Sequence, residues 1–245
     1  MLLLMKFAIA LLLSVTALAQ GLPVGVAIPV MLGSDLNAKK DEAGKKIEGK
    51  VMQDVPLLSG QISKGSHITG HVVSVTKPGS SGSDVVLKFD VIQDGGRTIP
   101  VTAAVLALAS MTSVAQAQSP INTVGVSKDA ADLWTTRQVG GDIVNREQHK
   151  AGSPGGAMGM WVEGSSVLIR LTPNPDAGCR DGPGYKGVQA VWIFSSAACG
   201  TYDLNDVVIA SSGADAPLGE ITLGSSQNVN VRGGSGWLLM TVGGQ

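Results

Sequence analysis

The chain has 245 residues, with 18 basic and 19 acidic side chains and a net charge of −1 at pH 7. This near-neutral balance excludes the positive field with which a protein attracts nucleic acid by counterion release. The 33 glycines and the aromatic content of 4% favour short strands and tight turns over long helices. By length the chain forms one or two domains.

The first 19 residues have the features of an export signal. Lys6 precedes an apolar run at residues 7–13, and Ala17 and Ala19 are small residues at the two positions that signal peptidase reads. The run is shorter than the ~20 apolar residues of a membrane span. We predict cleavage between Ala19 and Gln20. An uncleaved N-terminal anchor is the alternative, and Met5 can equally serve as the start.

Cleavage leaves 226 residues and removes Lys6, so the mature chain has 17 basic and 19 acidic side chains. No stretch after residue 20 is apolar for long enough to span a bilayer. We therefore expect an exported protein of the periplasm or extracellular space, without a membrane span after signal cleavage. Its expected partner is another envelope protein or a second copy of itself, and not a nucleic acid.

The region at residues 62–105 is predicted to form three strands joined by two turns. Residues 85, 87, 89 and 91 are apolar and fall on one face, with Lys88 and Asp90 on the other, which is the period of a half-buried strand. Asp94-Gly95 favours a tight hairpin turn. The return strand then places residues 99, 101, 103 and 105 on one face. This sheet is expected to seed the core.

Two segments precede that sheet. Residues 21–32 are apolar, but Pro23 and Pro29 each remove a backbone donor, which predicts an edge strand or a strand with a break. Residues 33–50 contain the densest charge of the chain, with both signs mixed. They are predicted to form a solvated connection.

Five short motifs follow one another in this first part of the chain. They are I-P-V at 28–30, S-D-L at 34–36, V-x-x-D-V at 51–55, K-G-S-H-I-T-G at 64–70 and D-G-G-R-T-I-P at 94–100. This succession, at residues 26–105, resembles the C-terminal β-barrel of the TrbI-like conjugal-transfer proteins, the scaffold subunit of type IV secretion channels. The resemblance implies a small β-barrel and a subunit of a secretion or conjugation channel as one function.

The remainder is predicted to hold a second β-rich unit. Residues 106–126 have no charge and contain Pro120, which indicates a linker, and residues 127–135 can form a short helix with Ser127 as its N-cap. Short apolar stretches separated by Gly-Ser turns then recur up to residue 242. The predicted fold class is all-β, with two small antiparallel barrel or sandwich units and little helix behind the signal peptide. The predicted boundaries are 1–19 for the signal, 20–110, 111–135 for the linker, and 136–245.

Cys179 and Cys199 are the only cysteines. In an exported chain they predict one disulfide, which restricts the unfolded state by about 3 kcal/mol for a loop of about 20 residues. Two free buried thiols are the alternative. A nucleophilic cysteine needs a nearby base, and only His149 lies in this half of the chain.

Other candidate sites have simpler interpretations. His67 and His71 are interpreted as rim residues of a strand, because on a strand they stand about 13 Å apart and cannot share a zinc ion. The G-x-G-x-x-G at 182–187 follows a proline-rich loop and is interpreted as a turn. Asp203 and Asp206 are assigned to turn capping. The four tryptophans are assigned to core packing rather than to a glycan groove: Trp134, Trp161, Trp192 and Trp237.

No catalytic set, cofactor motif or metal-ligand motif is recognised in the sequence. The first functional hypothesis is therefore a non-enzymatic cell-envelope protein, a β-rich binding or scaffold module. A secreted hydrolase or carbohydrate-active protein with a loop-built site is the second, and a channel subunit is the third.

Overall fold

The computed structural model describes residues 21–118, 139, 159–160, 168–169, 192–194 and 198–243. These residues form sixteen strands and one α-helix, which confirms the all-β class. The strands are β1 (Ala27–Leu32), β2 (Leu36–Asn37), β3 (Lys46–Val51), β4 (Val55–Pro56), β5 (Gln61–Ile62), β6 (His67–Gly79), β7 (Gly82–Asp94), β8 (Arg97–Pro100), β9 (Ala103–Ala109), β10 (Gly159–Met160), β11 (Leu168–Ile169), β12 (Gly200–Tyr202), β13 (Val208–Ser212), β14 (Ile221–Ser225), β15 (Asn230–Val231) and β16 (Gly236–Thr241). The helix is α1 (Met111–Gln118).

Most strands belong to one sheet that curls into a barrel. Its order runs β12-β9-β16-β1-β3-β6-β7-β14-β13, and β8 also pairs with β7. The two long strands β6 and β7 form a hairpin, and β7 has two neighbours on its far side. Residues 83–87 of β7 pair with β14, whereas residues 91–94 pair with β8.

The chain at residues 97–109 closes the ring. It begins as β8 beside β7 and continues as β9 beside β16. At the crossing, the Val101 amide donates to the Asp90 carbonyl on one side, and the Thr102 carbonyl accepts from Val242 on the other, each at 2.9 Å. One extended segment thus bonds to both edges of the sheet, which leaves the barrel nearly closed.

The two ends of the chain build the same sheet. β1 is paired with β16 from Ala27 opposite Met240, and β7 is paired with β14 from Leu87 opposite Ile221. The predicted division into separate units is therefore wrong for the strands after residue 200, because β12, β13, β14 and β16 complete the barrel of the first part. Within the described ranges, β10 and β11 pair with each other and with no other strand.

Large apolar side chains fill the barrel. Ile28, Leu87 and Leu239 are completely buried, and Phe89 meets Trp237 edge to face at a centroid distance of 5.8 Å. Alternation of inward and outward side chains produces this core, as in β3, where every second residue is buried. A barrel of this size is packed to its axis by side chains.

A second apolar cluster covers the outside of β1, β9 and β16. Ala107, Ala109 and Leu238 point away from the barrel interior and pack against Val114 of α1 and Tyr202 of β12. These strands are consequently buried on both faces, and all six residues of β16 are buried. α1 lies within residues 111–135, where a linker was predicted. The predicted helical turns at 127–135 lie outside the described residues.

β1 is a central strand, so the predicted edge strand is wrong. Pro29 is tolerated there because its nitrogen faces the side on which β3 has already ended, at Val51 opposite Val30. The Pro29 carbonyl on that side accepts from the Met52 amide at 2.9 Å. The donor that Pro29 lacks is therefore missing at the end of the β1–β3 ladder, opposite Met52, and not in its interior.

The hairpin predicted from Asp94-Gly95 is confirmed. Gly95 and Gly96 have φ angles of 54° and 85°, and Asp94 pairs with Arg97 across the turn. The predicted return strand at residues 99–105 is divided between two strands: β8 pairs with β7, and β9 pairs with β16. The predicted apolar face still points to the core, since Val101, Ala103 and Val105 are buried.

Strand polarity gives the barrel two ends. The "hairpin end" is where β1 and β6 begin and β16 ends, and it contains the β4–β5 hairpin. The "cleft end" is where β9 and β14 end and β16 begins. Residues 1–20 lie outside the described part, so the signal peptide and its cleavage between Ala19 and Gln20 stay predictions. None of the helices in the described ranges is long and apolar enough to cross a membrane.

Candidate functional site: a polar cleft at one end of the barrel

An open cleft of about 610 Å³ lies at the cleft end. Three chain segments line it: the junction of β9 with α1 at residues 110–112, the loop before β13 at 203–206, and the stretch from the end of β14 past β15 at 225–232. The barrel brings these segments together because β9, β13 and β14 all have this end in common. Its lining consists of Ser110, Met111, Thr112, Asp203, Leu204, Asn205, Asp206, Ser225, Gln227, Asn228, Asn230 and Arg232.

Ser110 positions one wall of the cleft. It is the N-cap of α1, where its Oγ accepts from the Ser113 amide at 3.0 Å. The same hydroxyl donates to Asp203 Oδ2 at 2.7 Å. Asp203 therefore lies beside the first turn of α1, where the helix dipole favours a carboxylate. The other carboxylate oxygen of Asp203, Oδ1, takes no part in this hydrogen bond.

Asp206 is held in a similar way on the neighbouring wall. The hydroxyl of Ser226 donates to Asp206 Oδ2 at 2.9 Å. Asp203 and Asp206 have φ angles of 52° and 63°, in the left-handed region that aspartate tolerates better than most side chains. Both carboxylates were predicted to cap turns. Their hydrogen bonds instead run to serines of other segments, and both face the cleft.

The opposite wall consists of amide side chains held from behind by β2. Asn228 accepts from the Lys39 amide at 3.0 Å, and its own Nδ2 donates to Asn37 Oδ1 at 3.4 Å. Asn37 Nδ2 in turn donates to Asn230 Oδ1 at 3.4 Å. β2 pairs with β15 through Leu36 opposite Val231. This small ladder fixes the backbone from which the amides project.

The cleft also has apolar surface and one cation. The Met111 side chain is 43% exposed, and Leu204 is half-buried against the barrel core. Arg232 is exposed and forms no ion pair with another residue of the described part. The arrangement thus offers carboxylate acceptors, amide groups that both donate and accept, and a guanidinium beside a small apolar area.

The two candidate histidines lie elsewhere, on the outer face of the barrel. His67 and His71 both belong to β6, as their interpretation as strand residues required. His71 Nδ1 lies 2.8 Å from Asp90 Oδ2, and both side chains are nearly half exposed. His67 is exposed and pairs across the ladder with Lys50. The structure does not bring either histidine to the cleft.

Two of the tryptophans confirm the assignment to core packing. Trp237 is completely buried, and its indole nitrogen donates to Ser235 Oγ at 2.9 Å. Trp192 is half-buried and stacks edge to face with Phe194 in the outer cluster, at a centroid distance of 6.2 Å. Trp134 and Trp161 lie outside the described residues, as do the glycines of the 182–187 motif.

Cys199 lies next to the outer cluster. It is half-buried, and its amide donates to the Tyr202 hydroxyl at 3.1 Å. Cys179 lies outside the described residues, so the Cys179–Cys199 disulfide stays a prediction.

The buried carboxylate of Asp94 connects two loops at the hairpin end by hydrogen bonds. Asp94 is 3% exposed, and burial raises the pKa of its carboxyl. Hydrogen bonds from Arg97, Ser66 and Ser63 lower that pKa more strongly, so it falls from 3.8 to about 2. Arg97 also donates to the Gln61 carbonyl at 2.7 Å. The carboxylate thus ties the β7–β8 turn to the segment that follows the β4–β5 hairpin.

Sequence reasoning missed most of the cleft. Ser110, Asn228, Asn230 and Arg232 were not singled out, and they are separated from one another by up to 122 positions. The one available signal was D-L-N-D at 203–206, whose residue types favour left-handed turns that can present carboxylates.

Comparison with known proteins finds no family model and no curated protein that matches this chain. The resemblance of residues 26–105 to the TrbI-like barrel, and with it the hypothesis of a channel subunit, therefore stays a prediction.

Proposed function

We propose that the protein is an exported, non-enzymatic binding module of the cell envelope, in which the packed barrel is a scaffold and the polar cleft binds a short, hydroxyl-rich ligand such as an oligosaccharide. One observation carries the proposal. The polar side chains of the cleft come from three distant segments, and hydrogen bonds to Ser110, Ser226 and Asn37 hold them from behind. Side chains held in this way lose little freedom when a ligand binds.

The chemistry of the lining favours a sugar over a small anion or an apolar molecule. Hydroxyl groups can donate to Asp203 and Asp206 and can both donate to and accept from Asn228 and Asn230. The C–H face of a sugar ring can pack on the exposed part of Met111. Among the described lining residues, two carboxylates stand against one cation, Arg232, so an anionic ligand meets repulsion as well as attraction.

Binding is tested by titration calorimetry with envelope-derived oligosaccharides and by saturation-transfer NMR with the purified exported protein. Substitution of Gln227→Ala and Arg232→Ala together should lower affinity about tenfold or more, because neither side chain supports the fold in the described contacts. Lys64→Ala is the matched control, since Lys64 is an exposed cation of the opposite end. Equal loss in the control, or wild-type affinity in the double variant, contradicts a ligand site in the cleft.

A second function is favoured by one feature of the same cleft, the presence of two carboxylates. Asp203 and Asp206 both line it, and glycoside hydrolysis uses a pair of carboxyl groups. Incubation of the bound oligosaccharides followed by measurement of new reducing ends separates the two functions. Binding without turnover supports a binding module. Turnover that is lost in Asp203→Asn and Asp206→Asn identifies a hydrolase.

A further inference from the structure

The two carboxylates of the cleft are held by serines that differ in burial. Asp206 receives its hydrogen bond from Ser226, which is exposed. Asp203 receives its hydrogen bond from Ser110, which is 8% exposed, and Ser110 also contacts Ser113, which is 2% exposed. Ser113 does not belong to the described lining of the cleft. A buried polar side chain outside the cleft therefore lies within one hydrogen bond of the serine that holds Asp203.

The number of available protons fixes the direction of these hydrogen bonds. Ser110 Oγ lies 2.7 Å from Asp203 Oδ2, 3.2 Å from Ser113 Oγ and 3.0 Å from the Ser113 amide nitrogen. A hydroxyl has one proton and an ionised carboxylate can only accept, so Ser110 donates to Asp203. The lone pairs of Ser110 Oγ then accept from the Ser113 amide and from the Ser113 hydroxyl. The donors thus form a chain that runs from Ser113 through Ser110 to Asp203.

The main sheet fixes the backbone that carries this chain of hydrogen bonds. β9 and β12 are parallel, with Ala109 opposite Tyr202. Directly beyond this pair, the Ser110 amide donates to the Tyr202 carbonyl at 3.0 Å. The strand register therefore places Ser110 beside Asp203. The helix α1 follows at once and contains Ser113 in its first turn.

We infer that Ser113 is a positioning residue of the cleft, a role that rests on the proposed function. Through Ser110 it holds the Asp203 carboxylate in the orientation in which the other oxygen, Oδ1, meets a ligand hydroxyl. A hydroxyl that accepts a hydrogen bond becomes a stronger donor, so Ser113 strengthens the bond from Ser110 to Asp203. A carboxylate held in one orientation loses less freedom when a ligand binds. Ser113 thus raises affinity without touching the ligand.

The orientation of Asp203 is measurable without any ligand. Scalar NMR couplings from the Asp203 carboxyl carbon to its backbone nitrogen and carbonyl carbon report whether χ1 occupies one rotamer. We expect one rotamer in the wild type and averaging between rotamers in Ser113→Ala. Val114→Ala is the matched control, because Val114 is the next residue of α1 and is buried in the outer cluster, but contributes no hydroxyl. This control loosens the packing of α1 and should leave Asp203 in one rotamer.

Calorimetry with N-acetylchitotetraose, a neutral oligosaccharide, measures the consequence for binding. We expect Ser113→Ala to lower the affinity about fivefold, the effect of one hydrogen bond. Val114→Ala should change the affinity by less than about twofold, since its site is independent of the chain of hydroxyls. In the Asp203→Asn background, Ser113→Ala should likewise change the affinity by less than about twofold, because the carboxylate on which Ser113 acts is absent.

These measurements distinguish a failure of the inference from a failure of the proposed function. A wild type that binds neither this tetrasaccharide nor the envelope-derived oligosaccharides contradicts the proposed sugar site, and the NMR couplings still decide whether Ser113 orients Asp203. Three results would each overturn the inference: wild-type affinity in Ser113→Ala, an equal loss in Val114→Ala, or a single Asp203 rotamer in Ser113→Ala.

Discussion

Strand β16 separates two apolar clusters, and its neighbouring leucines belong to different ones. Leu239 points into the barrel among large side chains from both ends of the chain. Leu238 points outward, into a cluster that contains alanines, Val114 of α1, Tyr202, Ile193 and Phe194. Both are almost fully buried, with exposures of 0% and 4%. The inner cluster is enclosed by the barrel wall, whereas the outer one is covered in part by the single short helix α1. Equal burial therefore does not imply equal contribution to stability.

The largest expected effect contrasts these two leucines. Leu239→Ala should lower the free energy of unfolding by about 4 kcal/mol, because the closed barrel wall cannot collapse into the cavity. Leu238→Ala should cost about 2 kcal/mol, because α1 can move toward the strand. Urea unfolding with an unchanged m-value measures both. Similar losses in the two variants would show that the outer layer is as rigid as the core.

The second prediction concerns the loss of stability in acid, which depends on Asp94 at the hairpin end of the barrel. The pKa of Asp94 is about 2 in the folded protein, below its ordinary value of 3.8. Because the folded pKa is the lower one, the contribution of Asp94 to stability is complete above about pH 4 and is lost as the pH falls toward 2. It amounts to roughly 2 kcal/mol. The difference in stability between the wild type and Asp94→Asn should therefore shrink over this window. A difference independent of pH would contradict the lowered pKa.

The third prediction concerns the outer layer. Ser110→Ala removes the N-cap of α1 and the hydrogen bond to Asp203, and we expect a loss of about 1 kcal/mol. Thr112→Ala, in the same turn but exposed, should change stability by less than about 0.5 kcal/mol. Thermal unfolding of both variants measures the contrast. A loss as large as that of Leu239→Ala would mean that α1 is part of the main cooperative unit.

The smallest effect on stability is expected for the two histidines of β6, on the outer face of the barrel that the second apolar cluster does not cover. His71 and Asp90 form a pair with nearly half-exposed side chains, and water screens their attraction. His71→Ala, and likewise His67→Ala, should change the free energy of unfolding by less than about 0.5 kcal/mol between pH 5 and 8. Chemical denaturation at the two pH values tests this. A larger change for His71 alone would indicate that its contact with Asp90 stabilises the β6–β7 ladder.

Local patterns predicted the parts of the fold that depend on neighbours in sequence. The apolar positions 85, 87 and 89 became the buried face of β7, although after Asp90 the buried position is Ile92 and not the predicted Val91. Asp94-Gly95 became a two-glycine turn, and the short stretches after residue 205 became β13, β14, β15 and β16. Each of these signals depends on side-chain period or on backbone preference within a few residues. Two tryptophans assigned to packing were also found buried or half-buried, since their apolar flanks already required it.

Such local patterns do not specify which strands pair with each other. Pro29 indicated an edge strand, because a proline removes a donor from any ladder. Only the register with β3 shows that Pro29 lies at the end of that ladder, where a central strand tolerates the missing donor. The charge-free stretch after residue 106 suggested a linker. In the structure, Val114 and Ala109 instead pack in one apolar cluster with Tyr202 of β12.

The sequence by itself determined that this chain forms many short strands, where its main hairpin turns, and which side chains alternate toward a core. Tertiary structure alone decided that the first and last strands pair, that residues 97–109 close the ring, and that Ser110, Asp203 and Asn228 meet in one cleft. The physical reason is the range of the interactions. Turn geometry and side-chain alternation act over two to four residues, whereas pairing β1 with β16 depends on a loop closure across more than 200 residues, which only the assembled core stabilises.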